Sequence, residues 1–215
     1  MGNDEGVQGF VMRVPPDEYR SLALRAHEVL RDVPIYDVTA VDLPGGGAGR
    51  RVADIRALEK ASPPSRIAGG LLAFRFFLGR LFGWDRTPID PKASFLSRLS
   101  EEDRRNSEVE PGTRAGSFLQ LYQFANEALA EIRNSTVHGW LCTALVPRAN
   151  GYRFYMAVYV RPVSWLSRPY LMAIEPFRRF LVYPAMLGRI RRAWITAYGT
   201  GSRSGRARSR RRRTQ

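Results

Sequence analysis

The sequence predicts an α+β domain in which an antiparallel sheet is covered by helices. Residues 118–160 are rich in β-branched and aromatic side chains, and apolar residues recur there with period two, as they do in strands. An Asn-Gly pair at positions 150 and 151 lies between the last two apolar runs, and this dipeptide is the strongest short-range signal of a β-hairpin. Apolar stretches with helical spacing flank the region, and a sheet face must be covered by such elements. We therefore expect antiparallel strands over about residues 117–163.

The segment before the sheet is predicted to contain helices and one strand. A helix begins at Pro15, Pro16 and Asp17 and runs to about Arg31. Its apolar face consists of Tyr19, Leu22, Ala26, Val29 and Leu30. Beyond Pro34, the alternation in YDVTAVDLP predicts a strand, and RVADIRALEKA predicts a short helix. Apolar residues at helical spacing predict another helix over 67–84, followed by a long polar loop over 85–116.

The strand, the glycine run GGGAGR and the short helix follow one another in an order that is typical of nucleotide-binding proteins. A dinucleotide fingerprint needs a third glycine at the position of Arg50. A phosphate loop needs Lys and then Ser or Thr at the start of the helix, and the chain has neither there. We therefore interpret the glycine run as a flexible connection and expect no nucleotide site in it.

A long amphipathic helix is predicted after the sheet, over about residues 168–197. Pro176 and Pro184 should kink or divide it, because proline lacks a backbone donor. The side chains expected to pack on the sheet are Ile174, Phe177, Leu181, Ile190 and Trp194. A polar leader (1–14) and an Arg-rich tail (199–215) are predicted to be disordered, so the folded domain is expected to span residues 15–198.

Composition excludes several classes of protein. The apolar fraction of 44% is typical of a globular protein, and no apolar run approaches the roughly 18 residues that would span a bilayer. The first residues lack the basic and apolar regions of a secretory signal, and Cys142, as a single cysteine, cannot form an internal disulfide. We expect a cytoplasmic protein without a transmembrane segment.

The net charge of +14 is concentrated at the C-terminal end. Twelve arginines and no acid follow residue 177, whereas the preceding part of the chain is close to neutral. The tail contains seven of these arginines: Arg203, Arg206, Arg208, Arg210, Arg211, Arg212 and Arg213. Such an arm attracts nucleic acid or anionic membrane lipid weakly and without sequence preference. An interaction module that acts through this tail is therefore one hypothesis for the function.

Four polar residues of the predicted sheet form the candidate for catalysis. Glu127 and Glu131 could act as acid and base, and His138 titrates nearest neutrality. Along the chain, the glutamates have one parity, whereas Asn134 and His138 have the other. We therefore expect the glutamates to pair with arginines and not to converge with His138, although a cyclase or hydrolase that uses these residues is an alternative. The two histidines and the single cysteine match no metal-ligand spacing, so no metal or other cofactor is expected.

Several segments resemble one uncharacterised bacterial family. They are LPGGGAGRRVADIRAL, LLAFRFFLGRLFGWD, NEALAEIRNSTVH, GYRFYMAVYV and PFRRFLVYPAML, and the resemblance spans about residues 19–198. That family is placed in the START/polyketide-cyclase (SRPBCC, helix-grip) superfamily. The resemblance implies a curved antiparallel sheet wrapped around a long C-terminal helix, with an apolar cavity between them. Relatives in the superfamily bind lipids, sterols, polyketides or hormones, and some cyclise or hydrolyse them.

The leading hypothesis is therefore that the domain binds a small hydrophobic ligand, lipid-like or polyketide-like, between the sheet and the C-terminal helix. Aromatic side chains would supply the apolar walls, and a few polar groups would orient the ligand. The residues expected to line the cavity are Arg75, Tyr122, Phe124, Asn134, Trp140, Tyr155 and Phe177. Arg75 is expected to meet either a ligand carboxylate or an internal glutamate.

Overall fold

Seven strands and several short helices make up the part of the chain that this computed structural model describes, which is residues 11–61, 94–133, 137–163, 171–172, 175–176 and 178–199. The strands are β1 (Val11–Arg13), β2 (Ile35–Pro44), β3 (Arg114–Ala115), β4 (Phe118–Gln123), β5 (Glu127–Arg133), β6 (Val137–Arg148) and β7 (Gly151–Pro162). The α-helices are α1 (Pro16–Arg20), α2 (Ala26–Val29), α3 (Val52–Ala61), α4 (Glu101–Asn106) and α5 (Tyr183–Tyr198). A 3₁₀ helix covers Phe95–Arg98, and a π-helical segment covers Arg178–Val182.

The strands form one curved, open, antiparallel sheet in the order β1-β2-β7-β6-β5-β4-β3. The predicted strands over 117–163 are confirmed as β4 to β7, and YDVTAVDLP lies within β2. The Asn150–Gly151 turn joins β6 to β7 as expected, with Arg148 opposite Gly151. Gly151 has φ +144°, and a Cβ there would lie 2.2 Å from the Leu43 carbonyl oxygen, so only glycine fits.

Helices cover both faces of this sheet. One face, here called the N-terminal face, packs against α1, α2 and the 3₁₀ helix through Tyr19, Val29 and Phe95. The other, here called the α5 face, packs against α3 and α5 through Ile55, Leu187 and Trp194. Two core clusters result, and strand residues alternate between them because side chains on a strand point to opposite faces in turn. The architecture is α+β and helix-grip-like, as the sequence predicts.

The C-terminal helix is divided where the prolines predict it. The π-helical segment Arg178–Val182 precedes α5, and Pro184 lies in the first turn of α5, where no backbone donor is needed. Ile190 and Trp194 are buried as expected, but Leu181 is 46% exposed, so its assignment to the core was wrong. A π-helical turn holds more residues than an α-turn, which rotates Leu181 away from the buried stripe of α5. Ile174 and Phe177 lie outside the described residues.

The N-terminal part differs from the prediction in three ways. Residues 11–13, assigned to a disordered leader, form β1 and pair with residues 39–41 of β2. The helix predicted over 15–31 is two short helices, because the chain turns between them, where the N–H of Leu24 donates to the Leu22 carbonyl at 2.9 Å, and the backbone amides of Arg25 and Ala26 then bond the buried carboxylate of Glu127. The glycine run packs against Trp194 and Tyr198 of α5 instead of forming a flexible connection. The predicted helix over 67–84 lies outside the described residues, as do residues 1–10 of the leader and 200–215 of the tail.

No helix in the described ranges is long and apolar enough to cross a bilayer.

Candidate functional site

Glu127 is a buried acceptor for the start of α2. Its carboxylate accepts the backbone N–H of Arg25 at 2.6 Å, the backbone N–H of Ala26 at 3.3 Å and the hydroxyl of Tyr122 at 3.2 Å. Burial raises the pKa of Glu127, and these three donors act in the opposite direction. The predicted partner was an arginine side chain, but Glu127 bonds the main chain of Arg25 instead.

Glu131 and His138 meet on the N-terminal face, which contradicts the prediction that they stay apart. Oε1 of Glu131 contacts Nε2 of His138, while Oε2 accepts the hydroxyl of Ser94 and, at 3.1 Å, the N–H of Phe95. The glutamate is completely buried, and Ser94 and His138 are buried as well. Glu131 therefore joins β6 to the start of the 3₁₀ helix Phe95–Arg98.

This arrangement lacks the order of groups that nucleophilic catalysis requires. A catalytic serine donates to a histidine base, which a carboxylate orients from its other side. Here Ser94 and His138 both bond Glu131, so the carboxylate lies between the other two groups. The ring of Phe95 lies against both His138 and Trp140, with centroids 5.6 and 4.4 Å away, and covers the pair. In this geometry the carboxylate anchors Ser94 and Phe95 to the sheet.

The predicted aromatic lining residues lie on the face opposite α5. Tyr122, Trp140 and Tyr155 are 0–1% exposed and belong to the core cluster of the N-terminal face. Phe124 stacks on Tyr122 at a centroid distance of 4.4 Å. We expected these four side chains to line a space next to the C-terminal helix, but they lie on the side of the sheet that α5 does not cover. Residue type alone does not reveal which face of a strand the helix will cover.

Four further sets of predicted site residues lie outside the described part of the chain: Arg75, Asn134, Phe177 and the seven tail arginines. The structure therefore does not locate them. Among the described residues, no group of three His, Cys, Asp or Glu side chains is arranged to hold a metal ion. Cys142 is buried beneath Tyr19 and Tyr122, and burial raises the pKa of its thiol, as expected for an inert core cysteine.

The α5 face carries a set of strand residues that sequence reasoning did not single out. They lie two or four positions from residues that α3 and α5 cover, and so share their face. This set, here called the α5-face strip, consists of Thr39, Ala130, Leu141, Thr143, Met156 and Val158. Leu141, Thr143 and Val158 are half-buried, and the other three are buried. None of the six belongs to either packed cluster formed by the described residues.

The strip is apolar with two hydroxyls and no charge of its own. Thr39 on β2 and Thr143 on β6 both lie opposite Met156, one on each side of β7. The Thr39 hydroxyl is buried and has no hydrogen-bond partner among the described residues. The strip residues occupy even-numbered positions of β7 and odd-numbered positions of β6. This alternation would have identified them from the sequence if the face covered by α5 had been known.

A polar group marks the end of the strip at β4. Gln120 lies opposite Ala130, and its Oε1 accepts Nη2 of Arg56, on α3, at 3.0 Å. Burial lowers the pKa of Arg56 and raises the pKa of Glu59 one turn later on the same helix. At the β2 end of the same row, Asp37 lies opposite Val158.

An open pocket of about 330 Å³ lies on the other side of the sheet, lined by Arg25, Glu28, Val29, Arg31 and Arg98. Its charges are largely paired. Arg25 donates to Asp103 at 2.9 Å. Arg98 donates to Asp32 through both terminal nitrogens, the second at 2.9 Å, and Arg161 donates to the same carboxylate at 2.8 Å. Arg25 and Arg98 therefore mainly join α2 and the residues after it to α4 and to the 3₁₀ helix.

The glycine run contacts the end of α5. The Trp194 indole N–H donates to the Pro44 carbonyl at 3.0 Å, and the Arg50 guanidinium lies 3.8 Å from the centre of the Tyr198 ring. Gly46 has φ +95°, and a Cβ there would lie 2.5 Å from Cζ2 of Trp194. The glycines therefore permit close packing of main chain on an indole ring, and they make no phosphate loop.

Comparisons with known proteins place the chain in a family without indicating an activity. No curated protein and no solved structure matches it. One family matches over residues 29–186, which is more than two thirds of the chain and runs from α2 into α5. On that match, the chain belongs to the family described as "Protein of unknown function (DUF2867)".

Proposed function

We propose that this protein binds a small hydrophobic ligand, lipid-like or polyketide-like, on the α5 face of the sheet. The observation that carries the proposal is the α5-face strip, a row of apolar and hydroxyl side chains beside the helix that a helix-grip fold packs on its sheet. Ligand sites of this kind have apolar walls and a few polar groups that set orientation. The proposal keeps the ligand class that the SRPBCC resemblance implies and assigns it to different residues.

The sizes of the strip residues support this assignment. Four of the six strip residues are alanine, threonine or valine and only Leu141 and Met156 are longer, whereas the N-terminal face is filled by Trp140, Tyr155 and other aromatic side chains. Small side chains on a sheet leave room beneath a covering layer, and large ones fill it. Membership of the SRPBCC superfamily, which we also propose, predicts a ligand on the face that carries the C-terminal helix.

Thermal-shift screening with fatty acids, sterols and aromatic polyketides tests the proposal. A ligand that binds only the native state at 100 times its Kd should stabilise it by about 2.7 kcal/mol. Leu141→Trp would fill the strip and should abolish the shift, whereas Leu181→Trp, the same change at an exposed position, should preserve it. Circular dichroism would establish that both variants fold. The absence of any stabilising ligand, or an equal loss in both variants, would contradict the proposal.

A second candidate is an enzyme of cyclase or hydrolase type, which the contact between Glu131 and His138 favours. Catalysis would require the cover provided by Phe95 to open, because both side chains are buried. His138→Gln should then abolish turnover of an ester or polyketide substrate while the protein stays folded. An unchanged rate in a folded His138→Gln variant would remove this candidate. The position of the pair on the face opposite the strip favours binding without catalysis.

A further inference from the structure

Arg56 directs its guanidinium to the end of the α5-face strip. Val52 and Ile55 of α3 are buried in the cluster on this face, and the next residue, Arg56, reaches Gln120 on β4. Its Nη2 donates to Gln120 at 3.0 Å, and the side chain is half-buried. Since Gln120, Ala130, Leu141 and Val158 lie opposite one another on successive strands, the guanidinium is at one end of a continuous row.

Two main-chain carbonyl groups hold the side-chain amide of Gln120, the acceptor of this hydrogen bond, in one orientation. Nε2 of Gln120 donates to the carbonyl of Tyr122 at 2.9 Å and to the carbonyl of Leu129 at 3.1 Å. Both contacts require the amide nitrogen, so Oε1 must face Arg56. Gln120 is 3% exposed and therefore acts as a rigid positioning residue for the guanidinium.

Arg56 has no ion-pair partner among the described residues. Its single hydrogen bond there goes to a neutral amide, which leaves four of its five N–H donors without a described acceptor. Glu59 acts on it at longer range only, and burial lowers the pKa of Arg56. A half-buried guanidinium is stabilised by a carboxylate or phosphate that accepts two parallel N–H hydrogen bonds from it, a bidentate interaction.

We propose that the ligand of the α5-face strip carries a carboxylate, which pairs with Arg56 while the apolar part of the ligand lies along the row from Ala130 to Val158. This inference rests on the proposed function and specifies its ligand. The row crosses three strand spacings from β4 to β7, about 14 Å. Its other end lies beside Asp37, whose carboxylate is already 4.0 Å from Nε of Arg13, whereas Arg56 has no ion-pair partner among the described residues, so we place the ligand carboxylate at β4.

Paired ligands of equal chain length test the inference: decanoic acid and decanol, titrated calorimetrically at pH 7.5 below their aggregation limits. The wild-type protein should bind the acid at least tenfold more tightly than the alcohol. Arg56→Gln should abolish this preference and leave the Kd of the alcohol unchanged. The matched control is Lys60→Gln, which removes the same charge from an exposed position of α3 and should keep the preference.

The possible outcomes separate this inference from the proposed function. If wild-type protein binds the alcohol as tightly as the acid, the carboxylate is not recognised, and the inference fails while the proposed function stands. A preference that survives in folded Arg56→Gln assigns recognition to another residue and also overturns the inference. If neither ligand binds and the thermal-shift screen is also empty, the proposed function itself fails. Arg56→Met, which keeps the apolar stem, replaces Arg56→Gln should the latter fail to fold.

Discussion

At the level of single residues, Glu127 and Glu131 perform parallel tasks. Each is a buried carboxylate on β5 that accepts a backbone N–H at the start of a helical segment, α2 for Glu127 and the 3₁₀ helix for Glu131. Unpaired N–H groups at a helix start need acceptors, and an anion there also suits the helix dipole. The two glutamates thus attach the N-terminal layer to the sheet, which explains why they need no arginine partner.

Glu127→Gln should lower the free energy of unfolding by about 1–3 kcal/mol at pH 7, because the amide nitrogen would face a backbone donor in a buried place. The effect should depend on pH. Since the native pKa of Glu127 is raised above the usual 4.5, its contribution to stability is present below pH 4.5 and is lost as pH rises through the native pKa. The difference between wild type and variant in urea unfolding should therefore widen as pH falls from 7 towards 4.5. A constant difference would contradict a raised pKa.

At the level of elements, the contact between the glycine run and α5 decides how the C-terminal helix is held. Gly46 and Gly47 both have positive φ, at +95° and +68°, but a Cβ at Gly47 would meet nothing within 4 Å. A comparison of substitutions at these two glycines therefore distinguishes the contact with Trp194 from the cost of a positive φ.

Gly46→Ala should destabilise the protein by about 1–3 kcal/mol more than Gly47→Ala, because only the first places a methyl group against the Trp194 ring. Both changes carry the cost of a positive φ, so their difference isolates the steric clash. Urea denaturation of the two variants measures it, and near-ultraviolet circular dichroism should show a displaced indole only in Gly46→Ala. Equal destabilisation would mean that the loop moves away freely.

The same helix region offers a test of the divided C-terminal helix. Leu187 is completely buried and Leu181 is 46% exposed, although the sequence predicted that Leu181 packs on the sheet. Leu187→Ala should cost about 2–5 kcal/mol of unfolding free energy, and Leu181→Ala should change it by no more than about 0.5 kcal/mol. Comparable losses in chemical denaturation would return Leu181 to the core and contradict the rotation at the π-helical segment.

At the level of the whole molecule, the charge is distributed very unevenly. The seven tail arginines account for half of the net charge of +14, and their removal leaves +7. We expect the tail to bind DNA, RNA or acidic vesicles in a salt-dependent way, separately from the proposed ligand site.

Deleting residues 200–215 should abolish binding to a random DNA duplex at low salt and leave the melting temperature nearly unchanged. For the full chain, affinity should fall steeply between 50 and about 200 mM salt, because the release of counterions gains less entropy when the salt concentration of the solution is already high. Fluorescence anisotropy with both proteins measures this. Tight binding by the truncated protein at about 0.15 M salt would place the interaction on the folded domain and weaken the assignment of that domain to hydrophobic ligands.

Local patterns in the sequence were sufficient for the strands, the β6–β7 turn and the division of the C-terminal helix. Period-two apolarity, the Asn-Gly pair and Pro184 act through the backbone within a few residues, so no distant contact is needed to interpret them. The class of fold follows from the order of these elements. Membership of an uncharacterised family was likewise predictable, because residues 29–186 carry its pattern.

Only the tertiary structure decided which residues meet. In an antiparallel pair the partners' numbers have a constant sum, and here Glu131 lies opposite Trp140. Because that sum is odd, an odd-numbered residue of β5 shares a face with even-numbered residues of β6. Glu131 therefore meets His138, although the two have opposite parity along the chain. Which face α5 covers is likewise set by packing between distant segments, and this moved the proposed ligand site from Tyr122 and Tyr155 to the α5-face strip. Burial and pairing of this kind depend on long-range register, which no local pattern contains.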